Sequence, residues 1–184
     1  MPPIQSLAVF CGSRPGSNPL FAQHAKELGM LMATHGIGLV YGGGSKGLMG
    51  SVADAVMEAG GKVVGIIPEM LVQWEHQHEG ITELLVVPDM HTRKKMMYER
   101  CDAAVILPGG FGTLDELFEM LTWNTLNIHS KDIYLLNSNG FYTHLVQHIE
   151  HLHKQEYLYE APWQRIHVMN TPADLFTGGV PVVA

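Results

Sequence analysis

The chain has 184 residues, 46% hydrophobic and 16% charged, which suits one packed globular unit and excludes a disordered majority. Its formal net charge of −7, from 11 Lys plus Arg against 18 Asp plus Glu, argues against a nucleic-acid polymer as partner, because duplex binding calls for a broad basic surface. No apolar run approaches the roughly 20 residues that cross a bilayer, and MPPIQSLAVF lacks a signal peptide's basic start and cleavage site, so a cytoplasmic protein off the membrane is expected.

The first predicted strand is Ile4 to Phe10, closed by CGSRPGSNP. Asn18-Pro19 then opens a helix in which Leu20, Ala25, Leu28, Leu31 and Met32 recur at helical spacing, and Gly36 and Gly38 stop it. A buried strand over Gly38 to Tyr41 leads into GGGSKGLMG, from Gly42 to Gly50, and a helix through Val52, Ala55, Val56 and Ala59. Lys62 to Ile67 reads as a third strand ending at Pro68, followed by an irregular stretch from Glu69 to Gly80. Glu83 to Val87 is a short strand, and Asp89 is the expected N-cap of a helix carrying His91, Arg93, Lys94, Met97 and Arg100. Ala103 to Leu107 is a strand buried on both faces, followed by PGGFGT and a helix from Leu114 to about Leu126. A strand over Ile133 to Leu136, a helix over Phe141 to His153 and a last strand over Arg165 to Met169 complete the chain.

Strands alternate with helices throughout, and the strands are continuous apolar runs. That pattern predicts an α/β fold, a Rossmann-like parallel sheet with helices on both faces, in a single domain over residues 1–184. Cys11 and Cys101 are distant and lack a CxxC partner, so reduced structural thiols are expected rather than a disulfide framework.

Ligands of such sheets bind at the C-terminal strand ends, where glycine-rich turns let backbone N–H groups approach an anion at a helix N-terminus. Two turns have that form, GGGSKGLMG after Tyr41 and PGGFGT after Leu107. Neither is a Walker A loop, since Lys46 precedes Gly47, nor a GxGxxG fingerprint, since Gly112 is followed by Thr113, Leu114 and Asp115. Tight turns without a ligand are the competing reading of both.

Thr113 and Glu116 form T-x-x-E, which reads as a capping box and puts the Glu116 carboxylate in the first helical turn beside the presumed phosphate loop. That carboxylate is suited to holding ribose hydroxyls, orienting water or stabilising positive charge on a sugar. Arg93 and Lys94 lie near a helix start, where positive charge costs about 0.3–1 kcal/mol. With Lys95 they read either as a solvated basic face or, for Arg93, as a planar fork kept for phosphate or a developing anion. His144, His148 and His151 share a helix face, but no HExxH or cysteine cluster accompanies them, and no metal site is expected.

Taken together, VFCGS, YGGGSKGLMG, GIIP, DMHTRKKMM, LPGGFGTLDELFEMLTW, NIHSK and LLNSNGFY resemble the LOG (Lonely Guy) family of cytokinin-activating phosphoribohydrolases over nearly the whole chain. That family also goes under the label of lysine decarboxylases. The resemblance implies hydrolysis of the N-glycosidic bond of an adenine-type nucleoside 5′-monophosphate (AMP or an N6-modified cytokinin nucleotide), giving free base and ribose 5-phosphate without cofactor or metal. It makes Arg93 and Glu116 the catalytic pair. It makes Gly109, Gly110, Phe111, Gly112, Thr113, Leu114 and Asp115 the substrate-binding stretch, with Glu75, Lys94 and Thr122 as further contacts. A homodimer is implied in the same way. The alternative function is a non-catalytic nucleotide or cofactor carrier of the same fold, which would not need Arg93 and Glu116 together.

Overall fold

The structure, a computed structural model, describes residues 4–72 and 76–177. Seven strands form one sheet: β1 (Ser6–Phe10), β2 (Gly38–Tyr41), β3 (Val63–Pro68), β4 (Glu83–Val87), β5 (Ala103–Ile106), β6 (Ile133–Leu136) and β7 (Ile166–Met169). Their order is β4-β3-β2-β1-β5-β6-β7, and every neighbouring pair is parallel. The helices are α1 (Pro19–Thr34), α2 (Gly47–Glu58), α3 (Met90–Glu99), α4 (Phe111–Thr125), α5 (Thr143–Lys154) and the short α6 (Asp174–Thr177).

The continuous apolar strands divide by period two between two cores. Leu7 and Val9 of β1 and Ala103 and Val105 of β5 face a cluster completed by α1, α2 and α6. Ala8, Phe10, Ala104 and Ile106 face the opposite cluster, completed by α3, α4 and α5. Covering both faces removes any place for polar alternation, which is why β1 and β5 read as unbroken apolar runs.

Chain direction across the sheet reverses at β1, which pairs with β2 on one side and β5 on the other. Such a switch point opens a crevice beyond the strand ends, because the connections there lead to opposite faces. The turns after β1, β2 and β5 meet at it: Gly12 N–H donates to Pro108 O at 3.0 Å, and Leu48 N–H donates to Gly12 O at 3.0 Å.

Two predicted helix starts shift. Asn139 (φ 51°) and Gly140 (φ 74°) form a tight turn after β6, so α5 begins at Thr143 rather than Phe141. α4 begins at Phe111, three residues before the expected Leu114. The second shift bears directly on the site.

Candidate active site

The turn after β5 is anchored from both sides. Leu107 N–H donates to Phe10 O at 2.9 Å, and the buried Tyr142 hydroxyl donates to Leu107 O at 2.6 Å. Gly110 is the N-cap of α4, in extended backbone (φ −97°, ψ −154°), and the Leu114 N–H already bonds to its carbonyl at 3.1 Å. The predicted capping box is therefore overturned. Thr113 lies inside the first turn, 3% exposed, and Glu116 falls in the second turn rather than the first. An ideal Cβ on Gly109 would stand 2.1 Å from Thr113 Oγ1, so this glycine is what allows Thr113 to fold down on the turn. Because glycine has no side chain to cap with, the opening N–H groups of α4 receive no such bond from Gly110, the arrangement in which a helix start can receive an anion.

Arg93 reaches the same place from α3. Asp89 caps that helix as expected, accepting from Thr92 N–H at 2.7 Å, and this bond above all holds its carboxyl below the ordinary range. Arg93 is 4% exposed, so the solvated basic face does not describe it. Its Nε donates to Ile66 O of β3 at 3.1 Å and its Nη2 to Gly42 O, just past β2, at 3.0 Å. Two main-chain carbonyls, one within β3 and one just past β2, thus orient the guanidinium. Lys95 alone of the basic trio fits the solvated reading, with a 60% exposed side chain 3.8 Å from Glu99.

Arg93 and Glu116 line one cavity of about 300 Å³, together with Gly12, Gly42, Gly110, Phe111, Gly112, Thr113 and Asp115. Met49, Leu71, Met90 and Met97 give it an apolar wall, suited to the flat faces of a heterocycle. A second cavity of about 230 Å³ shares Gly12, Ser13 and Gly110 with it and runs past Arg14 and Gly109. The crevice therefore combines a helix start, an arginine, a carboxylate and an apolar surface.

The remaining predicted residues separate. Lys94 Nζ lies 3.1 Å from Asp115 Oδ2 and 3.0 Å from Glu119 Oε2, beside the cavity rather than on its wall. Burial acts to lower its pKa, but the bonds to Glu119 and Asp115 outweigh that and hold it above the usual lysine value. Leu114 is half-buried against the core of the α3–α5 face. Thr122 is exposed, donates to Phe118 O at 2.7 Å, and lines a different cavity of about 390 Å³ between α4 and α5. Glu75 lies outside the described residues.

The second glycine-rich turn serves more as frame than as cradle. Its Ser45 N–H donates to His76 O at 2.9 Å and its Leu48 N–H to Gly12 O, while Gly42 supplies the acceptor for Arg93. Nothing in the sequence motifs marks Gly42 as that acceptor, nor Ser13, Arg14, Tyr98 or Glu119 as neighbours of the site. Only the i, i+4 spacing of Lys94 and Tyr98 and the i, i+3 spacing of Glu116 and Glu119 hinted at the last two.

Among the described residues no group of His, Cys, Asp and Glu is arranged to hold a metal ion, and both cysteines are buried with neither in a disulfide. None of the described helices is long and apolar enough to cross a membrane.

Comparison with known proteins decides the family. Residues 49–178 match a family model described as possible lysine decarboxylase. The chain is 45% identical over 166 residues to the cytokinin riboside 5′-monophosphate phosphoribohydrolase of Rhodococcoides fascians, covering 90% of this chain and 84% of the relative. The chain belongs to the LOG family. An Arabidopsis thaliana LOG protein named cytokinin riboside 5′-monophosphate phosphoribohydrolase is 41% identical over 92% of this chain and 79% of its own. A rice (Oryza sativa subsp. japonica) LOG protein with the same name, marked probable, is 46% identical over 76% of this chain, which spans 63% of that relative's length. Among solved structures, a molybdenum cofactor binding protein from Rippkaea orientalis superposes with a TM-score of 0.71 at 19% identity, covering 96% of each chain. The molybdenum cofactor carrier protein of Chlamydomonas reinhardtii gives 0.71 at 20% identity over 94% of each chain. At those identities the likeness is one of fold.

Proposed function

We propose that this LOG protein hydrolyses the N-glycosidic bond of adenine-type nucleoside 5′-monophosphates, AMP or its N6-modified cytokinin forms, releasing free base and ribose 5-phosphate. The observation that carries the reading is that Arg93 and Glu116 line one cavity whose rim is the uncapped start of α4. The names of relatives at 41% to 46% identity support the same activity.

In this reading the 5′-phosphate sits against the N–H groups of Gly110 to Thr113, where the helix start favours negative charge. The apolar wall of Met49, Leu71, Met90 and Met97 takes the base. Breaking the N-ribosyl bond develops oxocarbenium character on the sugar and negative charge on the departing base. The Glu116 carboxylate stabilises the first and orients water; the Arg93 guanidinium, already aligned by Ile66 and Gly42, stabilises the second without reorganising. Water adds to the anomeric carbon, the glycosidic electron pair leaves with the base, and a proton follows it.

The family label of lysine decarboxylase fits the site poorly. A Schiff-base lysine must shed its proton, whereas Lys94, the lysine beside the cavity, is held protonated by two carboxylates. A homodimer belongs to the proposal, supported by Phe118 midway along α4 and Leu126 and Ile128 just past its end, which stand 40%, 63% and 60% exposed. A cytoplasmic location does too, supported by two buried cysteines that form no disulfide.

Incubating the purified protein with AMP and with isopentenyladenosine monophosphate, and resolving free base by chromatography, tests the activity. Base release is expected from one or both. Binding of AMP without release of base from any purine monophosphate would replace the hydrolase reading with the carrier.

A further inference from the structure

Glu119 stands one helical turn past Glu116 on α4, on the side facing α3. Its Oε2 accepts from Lys94 Nζ at 3.0 Å and from the Tyr98 hydroxyl at 2.8 Å. Lys94 and Tyr98 are four residues apart on α3, so one carboxylate oxygen spans two successive turns of the neighbouring helix. Lys94 directly follows Arg93, and the Tyr98 hydroxyl also lies 3.4 Å from the main-chain oxygen of Glu116. The two helices tied here are the ones that carry the arginine and the carboxylate of the site.

We infer that Glu119 is a positioning residue, which, through Lys94 and Tyr98, fixes α4 against α3 and so sets where Glu116 stands relative to Arg93. The inference rests on the phosphoribohydrolase reading and deepens it. Three features make the tie a rigid one. Tyr98 is 2% exposed, its ring packed edge-on against Phe10 and Trp123 with centroids 6.0 and 4.7 Å away, so its hydroxyl has a fixed origin. The Lys94 and Glu119 side chains are 15% and 19% exposed, which shields their ion pair from the screening that makes surface pairs weak. Asp115, the other partner of Lys94, is 59% exposed, so its pair is the more screened of the two, and the Tyr98 hydroxyl bonds to Glu119.

The same geometry changes the role of Lys94. The resemblance makes it a substrate contact, yet its ammonium spends two donors on α4 carboxylates and does not line the cavity. Lys94 acts here through α4, on the placement of Glu116, with two of its three ammonium donors committed to that seam.

The test is steady-state kinetics on AMP or isopentenyladenosine monophosphate, whichever the wild type cleaves, for Glu119→Ala, Glu119→Gln and Tyr98→Phe. AMP affinity by calorimetry and melting temperature are measured on each. Glu119→Ala is expected to lower kcat by about 10²-fold, the scale of an ångström-sized misplacement, while KM and AMP affinity change less than about threefold. Glu119→Gln keeps an acceptor for Tyr98 and recovers part of the loss, and Tyr98→Phe falls between. Lys95→Ala, removing an exposed pair on the same helix, is the unchanged control. A kcat within about twofold of wild type for folded Glu119→Ala would overturn the inference and leave the hydrolase reading intact. A loss confined to KM would overturn it in favour of direct substrate binding. Should Glu119→Ala not fold, Glu119→Gln and Tyr98→Phe decide by the same split. A wild type that releases no base from any purine monophosphate overturns both readings, and is told apart by that result.

Discussion

Arg93 Nη2 donates to the carbonyl of Gly42 at 3.0 Å, across 51 residues of sequence, and an ideal Cβ on Gly42 would stand only 2.0 Å from that nitrogen. The glycine and the arginine therefore define one another: the turn after β2 is bare where the guanidinium must pass. Gly42→Ala is expected to displace the guanidinium while sparing the fold, since the nearest clash is with the end of a long side chain rather than backbone. Hydrolysis should fall by about 10²-fold or more, the cost of moving a catalytic group by about an ångström. Kinetics paired with a melting curve check this; normal kcat in Gly42→Ala would contradict it.

Glu116 and the start of α4 should separate in their effects. Glu116→Ala is expected to lower kcat by roughly 10²–10⁴-fold, the range for a positioned acid or base, with AMP affinity kept within about tenfold. Gly109→Ala should instead weaken AMP binding, because its Cβ would stand 2.1 Å from Thr113 Oγ1 and 2.9 Å from Gly12 N and push the turn apart. Calorimetry with AMP on both variants distinguishes them. Equal loss of affinity in the two would show that Glu116 serves binding instead.

The N-cap of α3 makes the arginine's helix acid-sensitive. Asp89 is held below its ordinary value of 3.8, chiefly by the Thr92 N–H, so its folded pKa lies under its unfolded one. Its contribution is present above pH 3.8 and is lost as pH falls through the lower folded value. Melting temperatures of wild type and Asp89→Ala are expected to differ at pH 7, with the gap narrowing as pH falls below 3.8. A constant gap across that range would mean that the cap carries no proton linkage.

The alkaline side is set by buried groups. Burial pushes the Cys101 thiol up to about 11 and the Tyr134 hydroxyl up to about 12. Both folded values lie above the unfolded ones, so their contributions are whole below pH 9 and are lost as pH rises through 11 and 12. Cys101 should resist alkylation in the native protein at pH 8.5 and react once the chain is unfolded in urea. Peptide mapping after iodoacetamide treatment reads this; rapid native labelling at Cys101 would contradict the burial argument.

Much of the architecture was legible along the chain because it is encoded locally. Unbroken apolar strands such as Ala103 to Leu107 announce a sheet covered on both faces, and Asp89 was readable as a cap from its place before a helical pattern. T-x-x-E misled for an equally physical reason. Thr113 has the chemistry of an N-cap, but the glycines before it let the helix begin at Phe111 and carry Thr113 inside. Glu75 lies outside the described residues, and Thr122 stands at a cavity separate from Arg93 and Glu116.

By itself, then, the sequence determined the alternation of strands and helices, the glycine turns at strand ends and the residue types a nucleotide site requires, because each depends on a few neighbouring residues. The tertiary structure decided what those residues do. Sheet order brings the carbonyls of Gly42 and Ile66 to Arg93, and the seam between α3 and α4 commits Lys94 to Asp115 and Glu119. A guanidinium or an ammonium can satisfy its donors with any acceptor within reach. Which acceptors are within reach is settled by the packing of segments far apart in the chain.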